Sequence, residues 1–248
     1  MDLKFEFMNV IVLLRSGAAF RDSNKTFNYI SKIKSKNIKE KYIMNNNSKH
    51  YSPWDKVKFP LVFAAVEKLS KASAPTIIAI EGRCGSGKSS LATMLAETFD
   101  CNVFHMDDFF LPFEMKTKER LSQCGGNVYY ERFKAEVIKP LQNREAVTYR
   151  PYSCLSGTLG EARHVGFKKI TIVEGSYCLH PTISKYYDYK IFLDLNSQVQ
   201  QKRILSRNGE KMFRNFREKW IPMEEYYFLN LNIEAQCNIV VDTSALWI

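Results

Sequence analysis

From Pro53 onward the chain alternates between two spacings of apolar residues. WDKVKFPLVFAAVEKLSKAS, residues 54–73, sets Val57, Leu61, Val62, Ala65, Val66 and Leu69 at helical intervals. TIIAIEG, residues 76–82, is short and apolar throughout, the mark of a strand covered on both faces as in a parallel sheet. The pattern then predicts a helix over Ser89 to Phe99, a strand in CNVFHM, and a helix in YERFKAEVIKPL that Pro140 should stop. AVTYRPY, KKITIVEG and YKIFLDL each predict a strand, Gln198 to Asn232 a long helical region, and NIVVDT a closing strand. Alternation of this kind predicts an α/β fold: a doubly wound, mostly parallel sheet flanked by helices. The chain shows no internal repeat.

The bulk numbers narrow the class. The 248 residues can bury one substantial core, and 45% hydrophobic with 25% charged residues is ordinary for a globular protein. No run approaches the ~18 apolar residues of a membrane span. Phe7 to Leu14 is apolar but short, and no small-residue cleavage site follows it, so no secretory leader is expected. Six scattered cysteines form no C-x-x-C pair and have no histidine at zinc spacing, which fits reduced thiols and a cytoplasmic location. Cys84 lies inside the glycine-rich turn, where oxidation would be a liability. The net charge is +10, but residues 1–50 carry ten Lys/Arg against four Asp/Glu, which accounts for +6 of it. The chain therefore divides into a basic, loosely structured extension, 1–50, and a nearly balanced domain, 51–248. A nucleic-acid partner is not expected for that domain. The polar run Asn45 to Pro53 reads as the linker, and Met44 is an alternative start.

The chemistry begins at Gly82-x-x-x-x-Gly87-Lys88-Ser89, set between a predicted strand and a predicted helix. In that context the spacing is a P-loop (Walker A) phosphate cradle. Glycines let successive N–H groups turn inward around phosphate oxygens, and the helix N-terminus adds its positive end. The expected ATP-binding set is Gly82, Gly85, Ser86, Gly87, Lys88, Ser89 and Ser90. Lys88 is expected on the β- and γ-phosphates and the Ser89 hydroxyl on Mg²⁺. Phosphoryl transfer also needs an acceptor and a group to orient or deprotonate it. Asp107 and Asp108 leave the end of the next strand, the edge where open α/β sheets bind ligands. Taken alone, the pair is equally well a loop cap.

HMDDFFLP after the P-loop, followed by GGNVYYERF, YRPYSC, IVEGSYCLHP, IFLDL and RNGEKMFRNFREKWIPMEEYYF, resembles the uridine kinase family. It looks most like the small bacterial uridine kinase-like branch, related to the nicotinamide riboside kinases, over residues 76–243. The resemblance implies a P-loop nucleoside triphosphate hydrolase-type fold with a helical, arginine-bearing lid, and ATP and Mg²⁺ as cofactors. It makes Asp107 a general base toward a ribose hydroxyl and a metal contact, and Glu174 a second acid at the metal. Arg203 and Arg207, one helical turn apart before the Asn208-Gly209 break, become lid groups that act catalytically with Lys88, with Arg214 and Arg217 beyond. Without the resemblance they read as a solvated basic helix.

The acceptor side departs from the pattern. Tyr129 and Ser153 stand where acids are expected. A sugar would then be held by Asp108, Tyr129, Arg132, Tyr149 or Arg150, or the acceptor differs from uridine. The expected activity is phosphoryl transfer to a hydroxyl of a nucleoside or similar small metabolite, with nicotinamide riboside or pantothenate as alternatives. A P-loop ATPase or switch without acceptor is the reading from another class. Against it, the chain offers no convincing Walker-B aspartate after an apolar strand and no guanine-recognition motif. Oligomeric state is not fixed by the sequence.

Overall fold

Five apolar segments rich in Ile, Val and Phe become the strands of one sheet: β1 (Thr76–Gly82), β2 (Cys101–His105), β3 (Ile170–Glu174), β4 (Tyr189–Asp194) and β5 (Ile239–Asp242). The computed structural model describes residues 58–246, so the expectations for residues 1–50, and Val57 at the head of the first helix, lie outside the described residues. The sheet is parallel throughout, in the order β2-β3-β1-β4-β5. Every residue of β3 is buried, and all but Ile77 of β1, as expected of central parallel strands.

Alternation along the strands splits the core in two. Ile78, Ile80, Ile172, Ile191 and Leu193 face helices α1 (Pro60–Ser70) and α2 (Lys88–Thr98), where Val62, Phe63, Val66, Leu91 and Leu95 are buried. Leu61, expected on that face, is 49% exposed. Ala79, Phe104, Val173 and Phe192 face the other way, toward a second set of helices. One is α3, built from Tyr130–Phe133, a π-turn at Lys134–Ile138, and Lys139–Gln142. Beyond it lie α4 (Ser197–Asn215), a second π-turn at Phe216–Trp220, and α5 (Ile221–Asn230). Side chains such as Phe104, Phe133 and Tyr227 are fully buried, each contributing about 2 kcal/mol of transfer free energy.

Two expectations are corrected. Pro140 does not end its helix. The π-turn before it shifts the hydrogen-bond register, so Pro140 falls in the first turn of Lys139–Gln142, where proline is tolerated. Pro222 follows the other π-turn in the same way. AVTYRPY is not one strand either. Val147–Tyr149 pairs with Arg163–Val165, and Tyr152–Ser153 with Thr158–Leu159, because Pro151 interrupts the ladder. No helix among the described residues is long and apolar enough to cross a membrane.

Where β1 leaves the sheet, Gly82 has φ 142° and lies against the backbone of β4. A Cβ there would stand 2.2 Å from the Leu193 carbonyl oxygen. Gly82→Ala should therefore cost about 3 kcal/mol or more. Gly166→Ala, whose Cβ would meet nothing within 4 Å, should stay within about 0.5 kcal/mol of wild type. Thermal or urea unfolding of both variants tests the pair, and a Gly82→Ala protein of wild-type stability would contradict the close approach.

Candidate active site

The C-terminal edge of the sheet opens into a cleft of about 1150 Å³, larger than the ~300–1,000 Å³ of a site for one small ligand. Its floor is the glycine-rich turn from β1 into α2. No side chain caps the start of α2, so its first N–H groups face the turn. Lys88 lies on this floor, and its Nζ donates to the carbonyls of Gly82 (2.6 Å) and Arg83 (3.2 Å). Burial works against its charge, but the carboxylates of Glu224, Glu81 and Glu174 outweigh that and raise its pKa.

Strand register delivers the acids. Glu174 ends β3 opposite Ile80 of β1 and His105 of β2, and so emerges on the α2 side. Its Oε1 accepts from Ser89 Oγ at 3.0 Å and meets His105 Nδ1 at 2.5 Å. The hydrogen bond to Glu174 raises the His105 pKa despite partial burial. Two residues beyond β2, Asp107 turns into the cleft. Among the described residues no hydrogen-bond donor reaches its carboxylate, which is open to solvent yet walled by protein. That enclosure raises its pKa, and Glu174 and Glu224 add to the shift while Lys88 opposes it.

Two further carboxylates were missed in the sequence. Glu224, on α5, is buried, accepting the Cys84 N–H at 2.9 Å and the Ser176 hydroxyl at 2.5 Å. Glu81, on the opposite face of β1 from Ile80, accepts from the N–H groups of Gly82, Tyr177 and Leu179 and from the Tyr227 hydroxyl. Burial pushes its pKa up to about 7. Neither had a motif to announce it. The only signal was a charged residue inside an apolar run, IAIEG for Glu81 and IPMEEYYF for Glu224.

Of the expected residues, Gly85, Gly87, Lys88, Ser89, Ser90, Asp107, Glu174, Arg203 and Arg207 line the cleft. Gly82 and Ser86 lie beneath it in the turn. Arg207 is exposed, its Nε on Asn208 Oδ1. Arg203 is committed to bracing: it donates to the Gly85 carbonyl at 3.2 Å and to the carbonyls of Thr243 and Leu246. Arg214 and Arg217 do not line the cleft, and Arg217 pairs with Glu218.

The residues expected at the acceptor are placed elsewhere. The Asp108 carboxylate turns away to Arg163 (2.9 Å) and the Tyr149 hydroxyl (3.1 Å). Arg132 lies over the Phe109 ring, donates to the Asp108 and Arg150 carbonyls and pairs with Glu136. Arg150 ties down the carbonyls of Leu159 and Gly160. Tyr129 lines a separate small hollow with Leu111, Met115, Arg120 and Glu131. These groups hold the walls. The cleft's own walls include Phe110, Phe113 and Lys116 from the segment after β2, with Phe216 and Trp220 of the second π-turn. Gly175, which also lines the cleft, lies close to Met106, whose Cβ would be 3.0 Å from a Cβ at 175. Cys84 is buried, and burial with the neighbouring Glu224 pushes its thiol pKa far up, which disfavours the reactive thiolate.

No family model and no curated protein matches this chain. Solved structures do. A possible uridine kinase from Bacillus stearothermophilus is 17% identical with a TM-score of 0.58, the match covering 75% of this chain and 98% of that one. A "putative fructose transport system kinase" from Silicibacter sp. TM1040 is 20% identical with a TM-score of 0.55, over 73% of this chain and 97% of that one. The chain thus shares the fold of these P-loop kinases.

Glu81 generates a pH test. Its ordinary value is 4.5 and its folded value about 7, so its contribution to stability is fully present below pH 4.5 and lost as pH rises through 7. The difference is of the order of 3 kcal/mol, and Asp107 and His105, also raised, act in the same sense. Urea unfolding should show the wild type less stable at pH 8 than at pH 5, with a shallower dependence in Glu81→Gln. Equal slopes in the two proteins would mean that Glu81 does not titrate in this window.

Proposed function

We propose that this chain is an ATP- and Mg²⁺-dependent small-molecule kinase that phosphorylates a hydroxyl of a nucleoside or a similarly hydroxylated metabolite. The observation that carries the reading is Asp107. Its unpartnered carboxylate faces the cleft that contains Lys88, Ser89 and the helix start, and the cleft is large enough for two reactants. A switch or motor ATPase has no use for a second compartment walled by Phe110, Phe113 and Trp220.

In this reading the N–H groups from Gly85 to Ser90 and the Lys88 ammonium hold the β- and γ-phosphates. The acceptor hydroxyl lies between Asp107 and the γ-phosphorus. Its proton passes to the Asp107 carboxylate as the new O–P bond forms, and the bond from phosphorus to the β–γ bridging oxygen breaks to leave ADP. Enclosure strengthens Asp107 as a base by raising its pKa from the carboxylate norm. Arg207 is the lid guanidinium free to meet charge on the transferring group, and Arg203 positions the loop. Phe216 and Trp220 help exclude water, which would otherwise compete with the acceptor. Ser89 and Glu174, 3.0 Å apart, with Asp107 on the same cleft, are hard oxygen donors suited to Mg²⁺. Among the described residues no three His, Cys, Asp or Glu are grouped as an all-protein metal cage, which fits an ion held largely by water and phosphate. When bound, Mg²⁺ neutralises charge on the phosphates.

Acceptor-stimulated ADP release with a phosphorylated product seen by mass spectrometry is the direct test; acceptor-independent hydrolysis would favour the ATPase reading. Lys88→Ala should abolish turnover. Asp107→Asn should keep nucleotide affinity, followed by fluorescent-ATP titration, while kcat falls roughly 10²–10⁴-fold. A parallel loss of Mg·ATP affinity would make Asp107 chiefly a metal contact.

A further inference from the structure

We infer that the phosphate acceptor carries an anionic group, a carboxylate or a phosphate, and that Lys116 binds it. The inference rests on the kinase reading above and gives its acceptor a charge.

Topology gives the cleft two ends. β2 and β5 are the opposite edges of the sheet, with β1 and its phosphate loop between them. The residues after β5, Ser244 to Leu246, line the cleft with Val199 and Lys202 at one end. The residues after β2 line the other: Asp107, Phe110, Phe113 and Lys116, joined by Asn127 and Cys154. The phosphoryl group crosses the middle, so the end that holds the base Asp107 is the acceptor's.

Charge at that end is unlike what a neutral sugar requires. Vicinal hydroxyls are bound best by carboxylates and amide oxygens that accept their protons. Three carboxylates line the cleft; Glu174 is engaged by Ser89 and His105 and Glu224 by Cys84 and Ser176, so Asp107 is the one left for a hydroxyl, and the reacting hydroxyl claims it. Asp108 is neutralised by Arg163 on the far side of its wall. Tyr129 faces another hollow. In their place stands Lys116, half-buried, with Nζ 4.5 Å from the centre of the Phe113 ring. Among the described residues no carboxylate forms a salt bridge with it. The Cys154 thiol feels both Lys116 and Asp107, which places the cation and the base around one space. A cation held against an aromatic face in a partly desolvated wall, with no protein counter-charge, is satisfied by an anion from solution. The same cation repels a positively charged acceptor such as nicotinamide riboside.

The test is a charge series on the full chain with Mg·ATP, following ADP and phosphorylated product. Matched acceptors offer a primary hydroxyl with and without the anionic group: glycerol, glycerate and glycerol 3-phosphate, and panthenol with pantothenate. Uridine and nicotinamide riboside serve as neutral and cationic controls. The expected result is turnover of an anionic member and not of its neutral partner, and the carboxylate and phosphate arms tell which anion is read. Lys116→Gln should raise KM for that acceptor roughly tenfold with kcat within about threefold, and Lys116→Arg should restore it. Preference for uridine or for the neutral members, or an unchanged KM in Lys116→Gln, overturns the inference and leaves the kinase reading standing. Silence from every acceptor while Mg·ATP binds overturns both.

Discussion

An ammonium group enclosed by protein must be met by oxygen, and in this fold the answer to Lys88 organises everything around it. Its Nζ is bound by two carbonyls of its own loop, and three carboxylates from three directions hold its charge: Glu81 from β1, Glu174 from β3 and Glu224 from α5. Those acids in turn need donors. Glu174 finds Ser89 and His105, and Glu224 finds Cys84 and Ser176. Glu81 takes three backbone N–H groups and the Tyr227 hydroxyl. The outcome is one connected polar layer at the sheet's C-terminal edge, stretched between two apolar cores. Such a layer is costly if any partner is missing, which is why its members come from rigid strand ends and a packed helix.

The same layer anchors both ends of the segment from α4 to α5. On α4, Gln200 and Arg203 bind the Cys84 and Gly85 carbonyls. On α5, Glu224 and Glu225 reach Cys84 and Arg83, and Tyr227 reaches Glu81. Between these anchors the chain breaks at Gly209, where φ is 72°, and passes through the π-turn that carries Phe216 and Trp220. The helices that carry Phe216 and Trp220 over the cleft are therefore tied directly to the glycine-rich turn.

What the sequence made legible is what periodicity and spacing encode. The strands at 76–82, 101–105, 170–174, 189–194 and 239–242 were readable as apolar runs, and the phosphate loop as glycines between a strand and a helix. The buried acids were not, because nothing in the spacing of IAIEG or IPMEEYYF says which neighbour will meet the carboxylate. Asp107 and Asp108 show the limit most plainly. They are adjacent and chemically identical, and the short 3₁₀ turn at Met106–Phe109 sends one into the cleft and the other to Arg163. Arg132 and Arg150 had the right charge for a substrate but the wrong direction, which depends on two small ribbons, Val147–Tyr149 with Arg163–Val165 and Tyr152–Ser153 with Thr158–Leu159. Pro140 misled because the rule against proline in helices assumes an unbroken α register, and a π-turn breaks it.

All six cysteines lie among the described residues, and Cys154 alone is exposed. It lines the cleft with Lys116, whereas Cys84, which also lines the cleft, is buried in the glycine-rich turn with its thiol accepting from Gln200. The molecule therefore carries one exposed thiol on the wall of the cleft, a ready attachment point for a thiol-directed dye. A label there would sense whatever enters the cleft, so its filling could be followed by fluorescence from the native sequence.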